Sequence, residues 1–153
     1  MRSQKNGSFA LPRLAEGEYD IRISAPGYVT EHRMLDMKVR RHAPSEIDLG
    51  DITLKSAGSV SGQVSDRYGR PVPGALIAYL DGAVAKTTDV HSDSSGVFSV
   101  QGLRPGRYLF YATHPVLGDG QSRRPHRIFE GENTPDILIR FDKAMPVTEN
   151  NSR

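Results

Sequence analysis

The chain carries the stretch Gly96-Val97-Phe98-Ser99-Val100-Gln101-Gly102-Leu103-Arg104-Pro105-Gly106-Arg107-Tyr108-Leu109-Phe110, and it carries a second version of it near the start. Gly7, Phe9, Leu11, Leu14, Gly17, Tyr19 and Ile21 correspond to Gly96, Phe98, Val100, Leu103, Gly106, Tyr108 and Phe110, each 89 positions later. Self-similarity at a fixed offset marks a repeated supersecondary unit. In both copies Gly-x-Phe-x-Leu/Val alternates with period two, as do Tyr19-x-Ile21-x-Ile23 and Tyr108-x-Phe110, the pattern of strands with one buried face. Between them lie Ala15-Glu16-Gly17 and Arg104-Pro105-Gly106, short connections whose Gly can take positive φ and whose Pro105 presets a turn. The expectation is a β-hairpin in each copy.

Outward from these segments, both copies end on a related strand, Asp51-Ile52-Thr53-Leu54 and Asp136-Ile137-Leu138-Ile139, now 85 positions apart. Only the second copy has a front half. Ser59-Val60-Ser61-Gly62-Gln63-Val64 reads as a strand, Asp66-Arg67-Tyr68-Gly69-Arg70-Pro71 as a turn, and Ala75-Leu76-Ile77-Ala78-Tyr79-Leu80 as another strand. With short strands at 85–88 and 127–130 the second unit reaches about seven, the count of an all-β, antiparallel Greek-key sandwich. No segment has helical periodicity. The division expected is the C-terminal half of one domain at 1–56, a complete domain at 57–142 and a disordered tail at 143–153. Lys55-Ser56-Ala57-Gly58 forms a short join that suits a spacer.

Three ordered motifs carry a family resemblance. They are Gly62-Gln63-Val64 leading through Asp66 to Gly69-Arg70-Pro71-Val72-Pro73-Gly74-Ala75, then Ser92-Asp93-Ser94-Ser95-Gly96-Val97-Phe98, then Gly102-Leu103-Arg104-Pro105-Gly106-Arg107-Tyr108. In these the chain resembles the carboxypeptidase regulatory-like domains, which implies a transthyretin-like, seven-stranded sandwich. The first unit supplies Gly7-Ser8-Phe9 and Leu14-Ala15-Glu16-Gly17-Glu18-Tyr19, then Ser24-Ala25-Pro26-Gly27-Tyr28 as a hairpin exit. The resemblance also implies a place outside the cytoplasm: extracellular, periplasmic or at the cell surface. Turn chemistry accounts for the motif residues without catalysis. Asp66 and Asp93 can accept from backbone N–H groups, Gly69 and Gly96 can supply positive φ, and Tyr108 can bury its ring with its hydroxyl paired.

The chain has 153 residues, 37% of them hydrophobic and 25% charged, with fifteen Gly and ten Pro, a composition that folds and turns often. There is no Cys, which excludes disulfides, thiolate catalysis and Cys-ligated zinc. A net charge of +2 does not by itself imply nucleic acid or a membrane surface. No run approaches the length of a membrane span, so no direct membrane insertion is expected. No His-x-x-Glu or His-Glu-x-x-His occurs, and His32, His42, His91, His114 and His126 stand apart, so no metal and no cofactor is expected. Gly58-Ser59-Val60-Ser61-Gly62 has Val60 where a nucleophile elbow needs its nucleophile. The reading is a protein that is not an enzyme.

Function on such a fold lives in its loops. Arg123, Arg124, His126 and Arg127 cluster in a loop with Gly118-Asp119-Gly120-Gln121, but Phe129 is the only aromatic nearby, so nucleic acid is not expected. Lys38, Arg40, Arg41 and His42 are read as a solvated loop. The residues taken as ligand or partner contacts are Tyr68, Tyr79, Tyr111, Arg123, Arg124 and Arg127. The role expected is a structural spacer or protein-interaction module of a larger cell-envelope or secreted protein, with carbohydrate binding to polysaccharide as the alternative. Because the first unit lacks the equivalents of 59–90, its apolar face and edges should favour pairing. Either the chain is a piece of a tandem array, meeting neighbouring domains, or it pairs between copies as a homodimer.

Overall fold

The computed structural model describes residues 1–38 and 46–146; Arg40, Arg41 and His42 of the basic loop and the terminal 147–153 lie outside the described residues. The chain divides into two compact units, Met1–Ser24 with Thr30–Thr53, and Ala25–Val29 with Leu54–Arg153.

Among the described residues the first unit has two strands, β1 (Gly17–Ile23) and β2 (Glu31–Met37). The second has β3 (Gly58–Ser65), β4 (Leu76–Asp81), β5 (Val84–His91), β6 (Val97–Leu103), β7 (Gly106–His114), β8 (Gly118–Ser122), β9 (His126–Ile128) and β10 (Asn133–Arg140). Its sheet order is β5-β4-β7-β8-β10-β3-β6, with β9 also on β7. The path folds over at β8–β10, a join of only two residue pairs, Ile139 with Ser122 and Arg140 with Gln121. One layer is therefore β5-β4-β7 with β8 and β9, the other β10-β3-β6. Among the described residues there is no helix, and the all-β sandwich expected from the repeat is the fold observed.

Alternation sets what each strand buries. Val60 and Val64 of β3, Ile77 of β4, Phe98 and Val100 of β6, Tyr108, Phe110 and Ala112 of β7, and Ile137 and Ile139 of β10 all point into one core, closed by Phe141. Their neighbours in sequence face outward, as the pleat demands.

Three features differ from expectation. The segment 96–110 is not a hairpin: β6 pairs with β3, whereas β7 pairs with β4, β8 and β9, so Arg104-Pro105 carries the chain from one layer to the other. Period two reveals which face is buried and leaves the neighbour open. Next, Gly118-Asp119-Gly120-Gln121 is not loop but most of β8. Two glycines and no apolar alternation hide a strand that is held to β7 by its backbone ladder and by the side chains of Asp119 and Ser122. Since β8 and β9 follow one another along the same edge of β7, eight strands fill the seven positions of the sandwich. Finally, residues 143–146, expected to be a disordered tail, are tied down: Arg67 N–H donates to Lys143 O, and Arg70 to Met145 O at 2.7 Å.

The first and last strands, β3 and β10, run parallel with a break in register between Thr134 and Ile137. Gly62 sits at that break, where an added Cβ would lie 2.0 Å from the backbone oxygen of Ile137. No side chain fits there without moving β10 away.

In the first unit the expected hairpin of 7–23 is likewise absent. Residues 8–15 form no strand, and β1 pairs instead with β2. The repeat is nonetheless exact in register. Ile23 faces Glu31 as Ala112 faces Gly120, each residue 89 positions on. The Gln4 N–H donates to Ser8 O and the Gly7 N–H to Gln4 O, as Asp93 does to Val97 and Gly96 to Asp93. The Tyr19 hydroxyl donates to Ala15 O at 2.9 Å, and the Tyr108 hydroxyl to Arg104 O at 2.7 Å, the same corner built twice.

Gly62→Ala should cost the second unit about 3 kcal/mol or more, read as a drop in the urea midpoint, because a backbone contact cannot yield as a side chain does. A loss under about 1 kcal/mol would contradict the close β3–β10 approach.

Candidate functional site

The outward faces of β4, β7, β8 and β10 line a groove of about 670 Å³ in the second unit. Tyr111 and Thr113 rise from β7, Gln121 from β8, Arg123 from just beyond it, and Arg140 and Asp142 from β10 and its exit. Register explains the grouping, since Tyr111 faces Gln121 and Gln121 faces Arg140 across adjacent strands. Thr113 Oγ1 donates to Asp119 Oδ1 at 2.8 Å, fixing one wall. The Nε of Arg140 is buried and has no hydrogen-bond partner in the protein. The amide of Gln121 and the exposed guanidinium of Arg123 are the groups that can meet a carbonyl or carboxylate laid along the groove.

Of the residues taken from the sequence as contacts, Tyr79, Tyr111 and Arg123 line this groove. Tyr79 does so with its ring packed against the core, edge-on to Tyr108 at 5.3 Å and an interplanar angle of 82°. Tyr68, Arg124 and Arg127 lie elsewhere. Arg127 stacks over Phe129 at 5.2 Å beside a hollow floored by Gly106 and Ile128. Arg124 gives its backbone oxygen to Ser122 Oγ, and its charge, after burial, is the second cause that lowers the pKa of His126. Arg140, Gln121 and Asp142 were missed. The parity of Ile137 and Ile139 already places Arg140 outward, but its meeting with Gln121 needed the β8–β10 pairing.

Tyr68 belongs to a structural latch. Its ring is exposed and lies under Arg67 and Arg70, at 5.1 and 5.6 Å. Beneath it the Asp66 carboxylate is fully buried. Oδ1 accepts from the N–H groups of Tyr68 and Arg70, and Oδ2 from Arg70 Nε at 2.8 Å and from the N–H of Met145 at 3.0 Å. Burial by itself raises this carboxyl, but the Met145 N–H, the Arg70 side chain and the other two N–H groups overcome it and hold the pKa at about 2. Asp93 likewise accepts from Ser95 and Val97 N–H, and Ser92 Oγ accepts from Ala75 N–H while donating to Val72 O. The polar residues of all three motifs thus serve turns and crossings.

Residues 59–125 match the model of the carboxypeptidase regulatory-like domain. No curated protein matches the chain. Among solved structures it is similar to BcpA, the major pilin subunit of Bacillus cereus, at 17% identity and a TM-score of 0.43, over 56% of this chain and 28% of that one. It is also similar to GBS52, the minor pilin of Streptococcus agalactiae, at 16% identity and 0.42, over 99% and 70%. The shaft pilin spaA from Lactobacillus rhamnosus GG follows at 16% and 0.38, over 84% and 62%. This chain spans 28% of the length of the first of these pilins. Among the described residues no three His, Cys, Asp or Glu side chains gather where they could hold a metal ion.

The latch has a pH signature. Because the folded pKa of Asp66, about 2, lies below its ordinary value of 3.8, its stabilisation is complete above the ordinary value and is lost as pH falls towards 2. The urea midpoint of the second unit should therefore decline over that window, and Asp66→Asn should start lower at neutral pH and decline less. A wild-type midpoint flat from pH 5 to pH 2, on that scale of about two carboxylate pKa units, would remove the carboxylate from the latch.

Proposed function

We propose that the chain is a non-catalytic structural module of a larger cell-envelope or secreted protein, and that the groove over Tyr111 and Arg140 is where its second unit meets a neighbouring domain or protein partner. The observation that carries this reading is the use made of the motif residues. Asp66, Ser92, Asp93 and Tyr108 all bond backbone groups that hold turns and layer crossings, so none stands ready for chemistry. The family match supports an extracellular or envelope setting.

The groove suits an extended polypeptide. It offers the small side chains of Ala78 and Ala85, the amide of Gln121 and the guanidinium of Arg123, groups that can receive a backbone carbonyl and a short side chain. Sugar recognition wants stacked, exposed rings. Here Tyr111 and Tyr79 are both half-buried in the groove, Tyr79 with its ring packed against Tyr108, and Tyr68 is held at the latch, so no pair of exposed rings stands ready to stack on a sugar.

A photo-crosslinking residue placed at Thr113, in the cells that make the protein, should capture a protein segment, and Arg140→Ala should reduce capture several-fold without lowering the thermal midpoint. Capture of polysaccharide alone, or soluble glycan shifting the Tyr111 amide resonance, would replace the protein reading with the sugar one. Turnover of any substrate abolished by a single substitution would end the non-catalytic one.

A further inference from the structure

Among the described residues of the first unit, none is fully buried. Yet its apolar residues are those that make the core of the second. Phe98, Leu103, Tyr108 and Phe110 are no more than 2% exposed, whereas their counterparts Phe9, Leu14, Tyr19 and Ile21 are half-buried. Leu11 is 36% exposed where Val100 is 4%. The turn, the tyrosine corner and the β1–β2 register match the second unit, so the difference does not lie in this half. It lies in what covers it.

In the second unit the cover is the segment from β3 through β5. It buries Val60, Val64, Val72, Ala75 and Ile77 against that core. Its strand β4 takes the edge of β7 opposite β8, and β3 stands between β6 and β10. In the first unit β1 has the β8-like partner β2, and its other edge is unpaired among the described residues. Residues 8–14 and 51–53, which correspond to β6 and β10, form no strand. Each element that would pair with a β3-like strand is unformed, whereas β1 and β2, which have each other, are formed.

We propose that the first unit is an acceptor for β-strand addition, and that its occupant is a polypeptide segment built like residues 58–89. A β4-like strand would run antiparallel to β1, its first residue opposite Ser24 and its last opposite Tyr19, the positions that answer to Thr113 and Tyr108. A β3-like strand would pair with 8–11 and with 51–53. Ser3 marks the entry. It corresponds to Ser92, whose hydroxyl grips Ala75 N–H and Val72 O of the front half, so the occupant leads into the turn at Ser3 as β5 leads into Ser92. A second copy of this chain fits less well. Its own β4 is held between β5 and β7, so lending that strand would open one unit while closing another.

This inference rests on reading the chain as a structural module, and its test touches the first unit only. A further copy of residues 58–89 is joined ahead of Met1 of the full chain, with Met1 taking the place of Val90. The comparison is with the unmodified chain and with a joined chain whose added copy alone carries Val60→Ser, Val64→Ser and Ile77→Ser. Amide exchange over 8–14 and 17–23 should slow on the order of 100-fold in the joined chain, not in the Ser-bearing one, with a monomeric mass in solution. Unchanged exchange over 17–23 in the joined chain overturns the proposal. So does an unmodified chain already protected over 8–14, or a dimer of it protected along β1. Exchange of β7 in the same spectra reports the second unit, whose own role is decided separately by the crosslink at Thr113.

Discussion

The pairing of β3 with both β6 and β10 is the contact on which the rest of the second unit depends. It is the middle of one layer, it brings the first and last strands of the unit side by side, and it requires Gly62, because the backbone of Ile137 comes too close for any Cβ. Lose β3 and β6 loses its ladder, while β10 keeps only its two pairs with β8. The first unit displays that outcome within the same chain. Its versions of β6 and β10, with apolar alternation intact, are not strands. Strand propensity and patterning make a segment fit for a sheet, but a ladder needs a neighbour to bond, and an edge without one is better solvated than ordered.

How much of this was legible in sequence follows from the same distinction. The repeat, the inward residues, the turns at Asp66 and Asp93, and the sandwich class could be read directly, because alternation and turn chemistry are local. The partner of each strand could not. Gly96 to Phe110 looks like a hairpin by every local sign, and β6 and β7 even lie consecutively, yet the two face each other across the core. Pro105 signals a turn and is silent on whether the chain reverses within a layer or crosses between layers. Strand β8 was invisible for the opposite reason, since Gly-Asp-Gly-Gln has the composition of a loop and becomes a strand only because β7 and β10 flank it.

The groove shows the same limit for function. Tyr111 and Arg123 stood out as an aromatic and a cation in polar surroundings, but Arg140, the residue with an unmet hydrogen-bonding need, lies in the last strand, 17 positions beyond Arg123 in sequence. Only the two-pair seam between β8 and β10 brings them to one surface. Sites on outer sheet faces are assembled by register, so sequence can nominate their members and not their company. Tyr68 illustrates the converse. An exposed tyrosine among arginines reads as a contact, and its backbone N–H is in fact a donor to the buried Asp66 that locks residue 145 against the β3–β4 turn.

That latch also bears on how a sandwich closes its ends. The second unit does so with one carboxylate that collects three backbone N–H groups and an arginine. Such a carboxylate stays charged because the donors replace its water, and each donor belongs to backbone that would otherwise be unpaired. Residues 1–53 hold no position that corresponds to Asp66, which lies between β3 and β4 of the second unit. A segment that covers the first unit as residues 58–89 cover the second would therefore bring more than apolar area: it would bring a carboxylate able to fasten the end of that unit to its cover.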